Sequence, residues 1–324
     1  MPWWVTLPLH CGGLIWKEDG FTSMELVSAL SRSTFFLLSL MALGYLSRRY
    51  GVLREGEERV LSDFVFHISL PSLVIWGLSS MRMSDRVLKM VLGVSAPMIL
   101  VAALIYLVGR LLGLDRDRIV LLITTSVSGN TGFYGIPYVR AVFPQGGTGL
   151  AVLAWASTLV TFTFLVVPLF EAARRKGNLV RRTAKNPLIW AALVGLLLMI
   201  SGAEVPEFVS YTLKELGDTS GPVAMFMLGA FFYGRRGLSF DPAPFLGKVL
   251  LLPTIALSLS YLVGLSRLEA SITTLMSAMP VAVALAVLSD VYDFHREEVY
   301  SLVLVTSLLS PIYLGAWLAM LSWR

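Results

Sequence analysis

Charged residues are scarce in this chain of 324 residues. Only 15% of the residues are charged, whereas 56% are hydrophobic, and the mean hydropathy is +0.74. A water-soluble domain of this length needs far more charge to cover its surface. The composition therefore excludes an ordinary soluble fold and a disordered chain, and the long apolar runs predict an all-α membrane protein.

Cysteine and histidine are almost absent. The one cysteine, Cys11, has no second cysteine to pair with and no Cys or His at metal-ligand spacing. The three histidines form no obvious Ser-His pair or His-rich metal site. A nucleotide-binding loop of the Gly-x-x-x-x-Gly-Lys type is missing too. These absences argue against a resident metal, a cofactor, an intramembrane enzyme and direct use of ATP.

Ten apolar runs are candidates for membrane spans, since a helix needs about 20 mostly apolar residues to cross the hydrocarbon layer. They lie at 26–47, 60–80, 87–112, 119–142, 148–170, 187–202, 217–234, 244–265, 270–290 and 299–322. The most basic stretch of the chain separates the first five from the last five. We therefore expect an N-terminal tail at 1–23, a first five-helix repeat at 24–173, a basic cytosolic loop at 174–186 and a second five-helix repeat at 187–324.

The Lys and Arg residues predict the orientation of the chain. The net charge of +5 comes from residues beside apolar segments, which is typical of topology signals and not of a nucleic-acid partner. If the chain starts outside, about two thirds of these residues, Lys248 among them, fall in inner loops. Both termini are then expected outside the cytoplasmic (inner) membrane. Five spans in each half make the halves enter the membrane in opposite directions, as in an inverted repeat.

Matching interruptions in the two halves agree with such a repeat. The fourth span is interrupted at 128–137 and the ninth at 277–280, and the second and seventh each hold a proline, Pro71 and Pro222. Clustered glycine and proline weaken a helix and leave backbone groups unpaired, which hydrocarbon does not tolerate. This backbone must line a cavity or be buried in protein. Half-helices that end there direct partial charges into mid-membrane, where they bind an anion or a cation.

The interrupted spans supply the candidate substrate-binding residues. Asn130 and Thr131 carry polar groups that are able to coordinate a ligand. The predicted substrate site consists of Gly129, Asn130, Thr131, Gly132, Gly135, Pro137, Ser277, Met279 and Pro280.

Three ionisable residues are candidates for coupling or support. Asp63 and His67 lie one helical turn apart, so a His–carboxylate pair there could relay a proton. The alternative is a histidine bonded to a neighbouring helix and an aspartate near the membrane interface. Arg140 either attracts a carboxylate or extends to the interface.

Several motifs, in order, resemble the auxin efflux carrier family, which is part of the bile/arsenite/riboflavin transporter superfamily. The similarity extends from Met24 to the C-terminus. The matching motifs are Asn130-Thr-x-x-x-Gly135-Ile136-Pro137-x-x-Arg140 in the fourth span, Asn186-Pro187 before the sixth, Gly221 to Gly229 in the seventh and Ala278-Met-Pro280 in the ninth.

The resemblance implies ten transmembrane helices as two inverted five-helix repeats, with broken helices 4 and 9 crossed at the substrate site. It also implies a scaffold of helices 1, 2, 6 and 7, a transport domain of the other six, an elevator-like motion and a homodimer. In such a fold Asn130 and the Pro137 and Pro280 crossovers frame the site. One departure from the family is the wholly apolar run from Val281 to Leu285.

The expected function is therefore that of a secondary active transporter, a permease embedded in membrane lipid that moves a small organic anion. A carboxylate is the expected substrate, with no cofactor, no metal and no nucleic-acid partner. The alternative is a sodium-coupled symporter of the bile acid type. Proton and sodium coupling are both open.

Overall fold

The computed structural model describes residues 23–81, 85–144, 146–173, 185–233 and 240–322. Most of the predicted N-terminal tail and of the basic loop lies outside these residues. The helices are α1 Ser23–Arg49, α2 Glu58–Ser79, α3 Asp85–Leu111, α4 Arg116–Val127, α5 131–142, α6 Gly147–Ala173, α7 Pro187–Ser201, α8 Glu207–Asp218, α9 Ser220–Phe232, α10 Pro242–Leu262, α11 Arg267–Ser277, α12 Val283–Tyr292 and α13 Arg296–Ser322.

Helices occupy the predicted spans. Five of those described, α2, α3, α6, α10 and α13, are long and apolar enough to cross a membrane, while α7 and α12 are apolar but shorter. The interrupted spans are the broken helices α4–α5 and α11–α12. Helix α9 lies within the predicted seventh span, and a separate helix that the apolar runs did not predict, α8, precedes it from Glu207.

Four π-helical turns in the described helices each end two residues before a proline. They are Val65–Ser69 before Pro71, Thr131–Gly135 before Pro137, Phe162–Val166 before Pro168 and Gly247–Leu251 before Pro253. In each case the amide before the proline donates to the carbonyl five residues back. Because proline has no amide hydrogen and its ring crowds the carbonyl four residues earlier, the helix widens ahead of it. The prolines thereby place Thr131, Thr163 and Lys248 on widened turns.

Helices α1, α2, α7, α8 and α9 form one group, in which α1 packs on α9 and α2 packs on α7 and α8. The backbones of α1 and α9 almost touch. A Cβ on Gly44 would lie 1.8 Å from the carbonyl oxygen of Phe226, and one on Gly229 would lie 1.8 Å from that of Met41. Only glycine allows helices to approach this closely.

Helices α3 to α6 and α10 to α13 form a second group, in which α3 packs on α4, α6 and α10. Buried hydroxyl groups join its members. Thr161 donates to Ser95 at 2.7 Å, linking α6 to α3, and the hydroxyls of Tyr134 and Ser310 lie 2.6 Å apart, linking α5 to α13. Both broken helices therefore belong to the same packed group.

Candidate functional site

The two broken helices cross, and their non-helical segments pair as a short antiparallel bridge around Gly129 and Val281. The amide of Asn130 donates to the carbonyl oxygen of Pro280 at 2.7 Å. In return, the amide of Ala282 donates to the carbonyl oxygen of Ser128 at 3.1 Å. The bridge satisfies backbone groups that the helix breaks would otherwise leave unpaired in an apolar environment.

Four helix ends meet at this crossing. Helices α5 and α12 begin there, at Thr131 and Val283, whereas α4 and α11 end there, at Val127 and Ser277. Within the described part of the chain, neither N-terminus has a side-chain cap. Because helix N-termini carry partial positive charge and C-termini partial negative charge, the crossing offers sites for charges of both signs.

A cavity of about 60 Å³ lies at the two N-termini. Residues 129–133 form one wall and 282–284 another, and α6 contributes Trp155, Thr158, Leu159, Phe162 and Thr163. The first helix group closes the cavity with Leu70, Leu73 and Val74 from α2 and Leu188 from α7. A volume of this size has room for ordered water or a small solute.

Two buried polar groups at the cavity have no hydrogen-bond partner among the described residues. They are Nδ2 of Asn130, a residue only 3% exposed, and Oγ1 of the fully buried Thr163. By contrast, the hydroxyl of Thr158 donates to the Ala154 carbonyl of its own helix at 2.9 Å. A buried polar group without a partner costs about 1–3 kcal/mol. Asn130 and Thr163 are therefore available to bind a ligand.

Lys248 lies on the opposite, C-terminal side of the crossing. It is fully buried, and its Nζ donates to the carbonyl oxygen of Ser277 at 2.8 Å. A Cβ on Gly129 would also lie 2.8 Å from Nζ. The positive-inside count places this lysine in an inner loop, which is wrong, because helix α10 carries it into the second group. The spacing to Pro253, which sets the widened turn, is the signal that could have identified it.

The comparison with protein families gives a match over nearly the whole chain. The family model described as membrane transport protein matches residues 29–181 and 176–318. The chain belongs to this family, that of the auxin efflux carriers.

Two archaeal relatives are similar to this carrier. One is an uncharacterised transporter of Methanocaldococcus jannaschii, 25% identical over 295 residues, and the other an uncharacterised transporter of Methanothermobacter thermautotrophicus, 29% identical over 292 residues. Each alignment covers 87% of this chain and 95% of the relative. The protein is thus a multi-pass membrane transport protein and not an enzyme.

The carrier brings most of the predicted substrate residues to the crossing. Gly129, Asn130, Thr131 and Gly132 line the cavity. The carbonyl oxygens of Ser277 and Pro280 accept hydrogen bonds within the crossing, and Met279 is buried against Gly135. Pro137 is exposed and lies beyond the break, so its contribution is the widened turn that precedes it. A direct contact of any of them with substrate stays a prediction.

The three coupling candidates lie away from the cavity. Asp63, His67 and Arg140 are all exposed. Nδ1 of His67 lies 3.0 Å from the backbone carbonyl oxygen of Asp63. A coupling or support role for them therefore stays a prediction. In the described ranges, His, Cys, Asp and Glu side chains form no group of three that could hold a metal ion.

Proposed function

We propose that this protein is a secondary active transporter that moves a small organic anion, a carboxylate, across the cytoplasmic membrane. The main observation is the unpartnered Nδ2 of Asn130 beside two helix N-termini at one cavity. Backbone and amide N–H groups at a helix N-terminus bind anions well, and a carboxylate accepts their hydrogen bonds strongly.

The rest of the cavity suits the carbon part of the substrate. Leu70 and Leu73 of α2, Phe162 of α6 and the segment 282–284 are apolar. A pocket of this kind orients a ligand through a few polar groups and holds its apolar body by burial. We therefore expect a substrate with one charged end and an apolar body.

An elevator-like motion on ten transmembrane helices, arranged as two inverted five-helix repeats, fits the packing. Helix α1, the first span of the first half, packs on α9 in the second span of the second half. In the same way, α7, the first span of the second half, packs on α2, the second span of the first half. The cavity lies between the crossing and α2 and α7 of the other group. Sliding of the second group along the first would carry a bound ligand across the membrane. The proposal includes termini outside and a homodimer.

The test is thermal-shift binding of the purified protein against mono- and dicarboxylates, aromatic acids and bile acids, with and without sodium. Ligands that bind the folded state raise its unfolding temperature. In Asn130→Ala we expect the shift to be lost, because a hydrogen bond to a charged group contributes about 1.5–3 kcal/mol, or about 10- to 100-fold in Kd.

The unfolding temperature of unliganded Asn130→Ala serves as the folding control. A wild-type ligand shift in this variant would remove Asn130 from the site. If no acid shifts the wild-type protein, the anion class is wrong. A shift that requires sodium would favour the alternative, a sodium-coupled symporter of the bile acid type.

A further inference from the structure

We propose that the positively charged amine of Lys248 takes the place of a bound monovalent cation on the C-terminal side of the crossing. Because the amine is covalently attached to the chain, we call it a tethered cation. This inference rests on the proposed carrier function, in which the N-terminal side of the same crossing holds the anion. Lys248 is then a positioning residue: it stabilises the paired helix breaks and leaves the cavity to the substrate.

The amine of Lys248 contacts the C-terminus of α11. Nζ donates at 2.8 Å to the carbonyl oxygen of Ser277, the last residue of α11. Gly129 lies two residues past the end of α4. A Cβ added to Gly129 would lie 2.8 Å from Nζ and 3.5 Å from the carbonyl oxygen of Met276. The last carbonyl groups of a helix lack partners in the helix and carry partial negative charge, so they attract a positive group.

Helix α10 is held in a position that directs Lys248 to this point. A Cβ on Gly247 would lie 2.2 Å from Oγ of Ser126, so only glycine lets α10 approach α4 this closely. On the other side, Nε1 of Trp317 donates to the carbonyl oxygen of Val249 at 2.8 Å. Lys248 thus extends from a widened turn that is fixed against both neighbours.

The helix ends balance the charge of the amine. Among the described residues, no carboxylate forms an ion pair with Lys248. A buried charge without a partner is strongly unfavourable, so in this proposal the Ser277 carbonyl and the partial negative charge of the helix ends compensate it.

In membrane carriers, unwound carbonyl groups and helix C-termini coordinate sodium. The carbonyl oxygen of Ser277 is a group of this kind. Ser126, whose Oγ lies against Gly247, and Ser128, which precedes Gly129, also carry buried hydroxyls without a partner within the described ranges. We therefore expect removal of the lysine side chain to leave a space beside the Ser277 carbonyl that a small cation is able to occupy. With the amine present, the wild-type protein needs no bound sodium there.

The test compares unfolding temperatures in sodium, potassium and choline chloride at equal ionic strength, without any carboxylate. We expect the wild-type value to be the same in all three salts. Lys248→Ala should unfold several degrees lower in choline and recover part of the loss in sodium, with a saturable dependence on its concentration. Lys248→Met keeps the volume without the charge, so it should be destabilised in every salt and show no recovery.

Lys89→Met is the matched control, because Lys89 is an exposed lysine of α3 and should leave the unfolding temperature unchanged. The proposal is overturned by sodium-specific stabilisation of the wild type, by a Lys248→Met protein as stable as the wild type, or by a folded Lys248→Ala without sodium recovery. If neither variant folds, the wild-type salt response decides: insensitivity supports the tethered cation and sodium stabilisation overturns it.

These measurements involve no carboxylate and keep the chloride concentration constant, so they separate the two proposals. A wild type stabilised by sodium overturns the tethered cation and leaves the carboxylate site standing. A carboxylate panel without any response removes the anion class, whereas the salt response of Lys248→Ala still reports on the cation site.

Discussion

The two segments that cross at the site differ in chemistry, although each lies at a break between two helices. The first crossing segment, 128–132, brings polar side chains and glycine to the cavity, among them Asn130 with its unpartnered Nδ2. The second crossing segment, 280–284, is apolar and takes part through its backbone. The amide of Val281, for example, donates to Oγ1 of Thr306 at 3.0 Å.

This difference separates the backbone features that the fold requires from the side chains that the proposed ligand requires. Both segments need a break in the helix and a partner for the exposed backbone, because unpaired groups are unfavourable in an apolar environment. Only the first segment adds side-chain donors. In the proposed inverted repeat, the fold constrains the backbone of both halves, whereas the proposed selection of the ligand depends on side chains that the halves need not share.

The largest effect is expected from Gly132→Ala, which fills a narrow point of the first crossing segment. The new Cβ would lie 2.8 Å from Nε1 and 3.2 Å from Cδ1 of Trp155, which is buried. Overpacking of this kind costs about 1–3 kcal/mol, and a displaced indole would occupy the cavity. We expect carboxylate binding to weaken by about 10-fold or more, as measured by ligand-dependent thermal shift.

The control is Gly149→Ala in α6, where a Cβ would have no atom within 4 Å. This change should leave binding unaltered. Adding Trp155→Phe to Gly132→Ala should restore part of the binding, because the smaller ring makes room. Undiminished binding in Gly132→Ala would mean that the ligand does not use this wall.

Thr163→Val is expected to have a smaller effect: it should raise the stability of the unliganded protein and weaken carboxylate binding. This change removes an unpartnered buried hydroxyl, so the unliganded protein should become more stable by about 1 kcal/mol. The same hydroxyl is available to the ligand, and its loss should weaken carboxylate binding by about 3- to 10-fold. Chemical unfolding and ligand titration measure the two quantities.

Thr158→Val provides the comparison, because the hydroxyl of Thr158 already bonds to its own helix. It should lower stability slightly and change binding little. Equal effects of the two substitutions on binding would argue against a ligand contact for Thr163.

Much of the fold could be predicted because glycine, proline and charge interrupt apolar runs in a recognisable way. The break in the fourth span is an example, since Gly129 and Gly132 mark it in the sequence. The start of α8 at Glu207 could not be found from apolar runs. Its charged residues pair along the helix, as Lys214 does with Asp218 at 2.6 Å, and a search for uncharged segments passes over them.

The site was only partly predictable, because burial of a polar residue depends on what packs around it. Lys248 stands near the start of a span, where a lysine usually reaches water. The close contact of Gly247 with Ser126 makes it a buried residue instead. Thr163 gave no signal of its own, because its span has no break; only the π turn before Pro168 distinguishes it.

The smallest effect, and the finest test of the comparison, is expected from Ala284→Ser in the second crossing segment. Ala284 is half-buried in the first turn of α12 and lines the cavity. A hydroxyl there adds a hydrogen-bond donor and acceptor to the apolar wall. Ligands with a second polar group should therefore gain affinity relative to ligands with an apolar body. We expect their affinity ratio to change by about threefold, measured by paired titrations.

Ala103→Ser, at an exposed position of α3, is the matched control and should leave the ratio unchanged. If the ratio also stays unchanged in Ala284→Ser, the carbon part of the ligand does not lie against α12. The two crossing segments would then differ in the structure without dividing the ligand between them, and recognition would fall to the first segment and α6 alone.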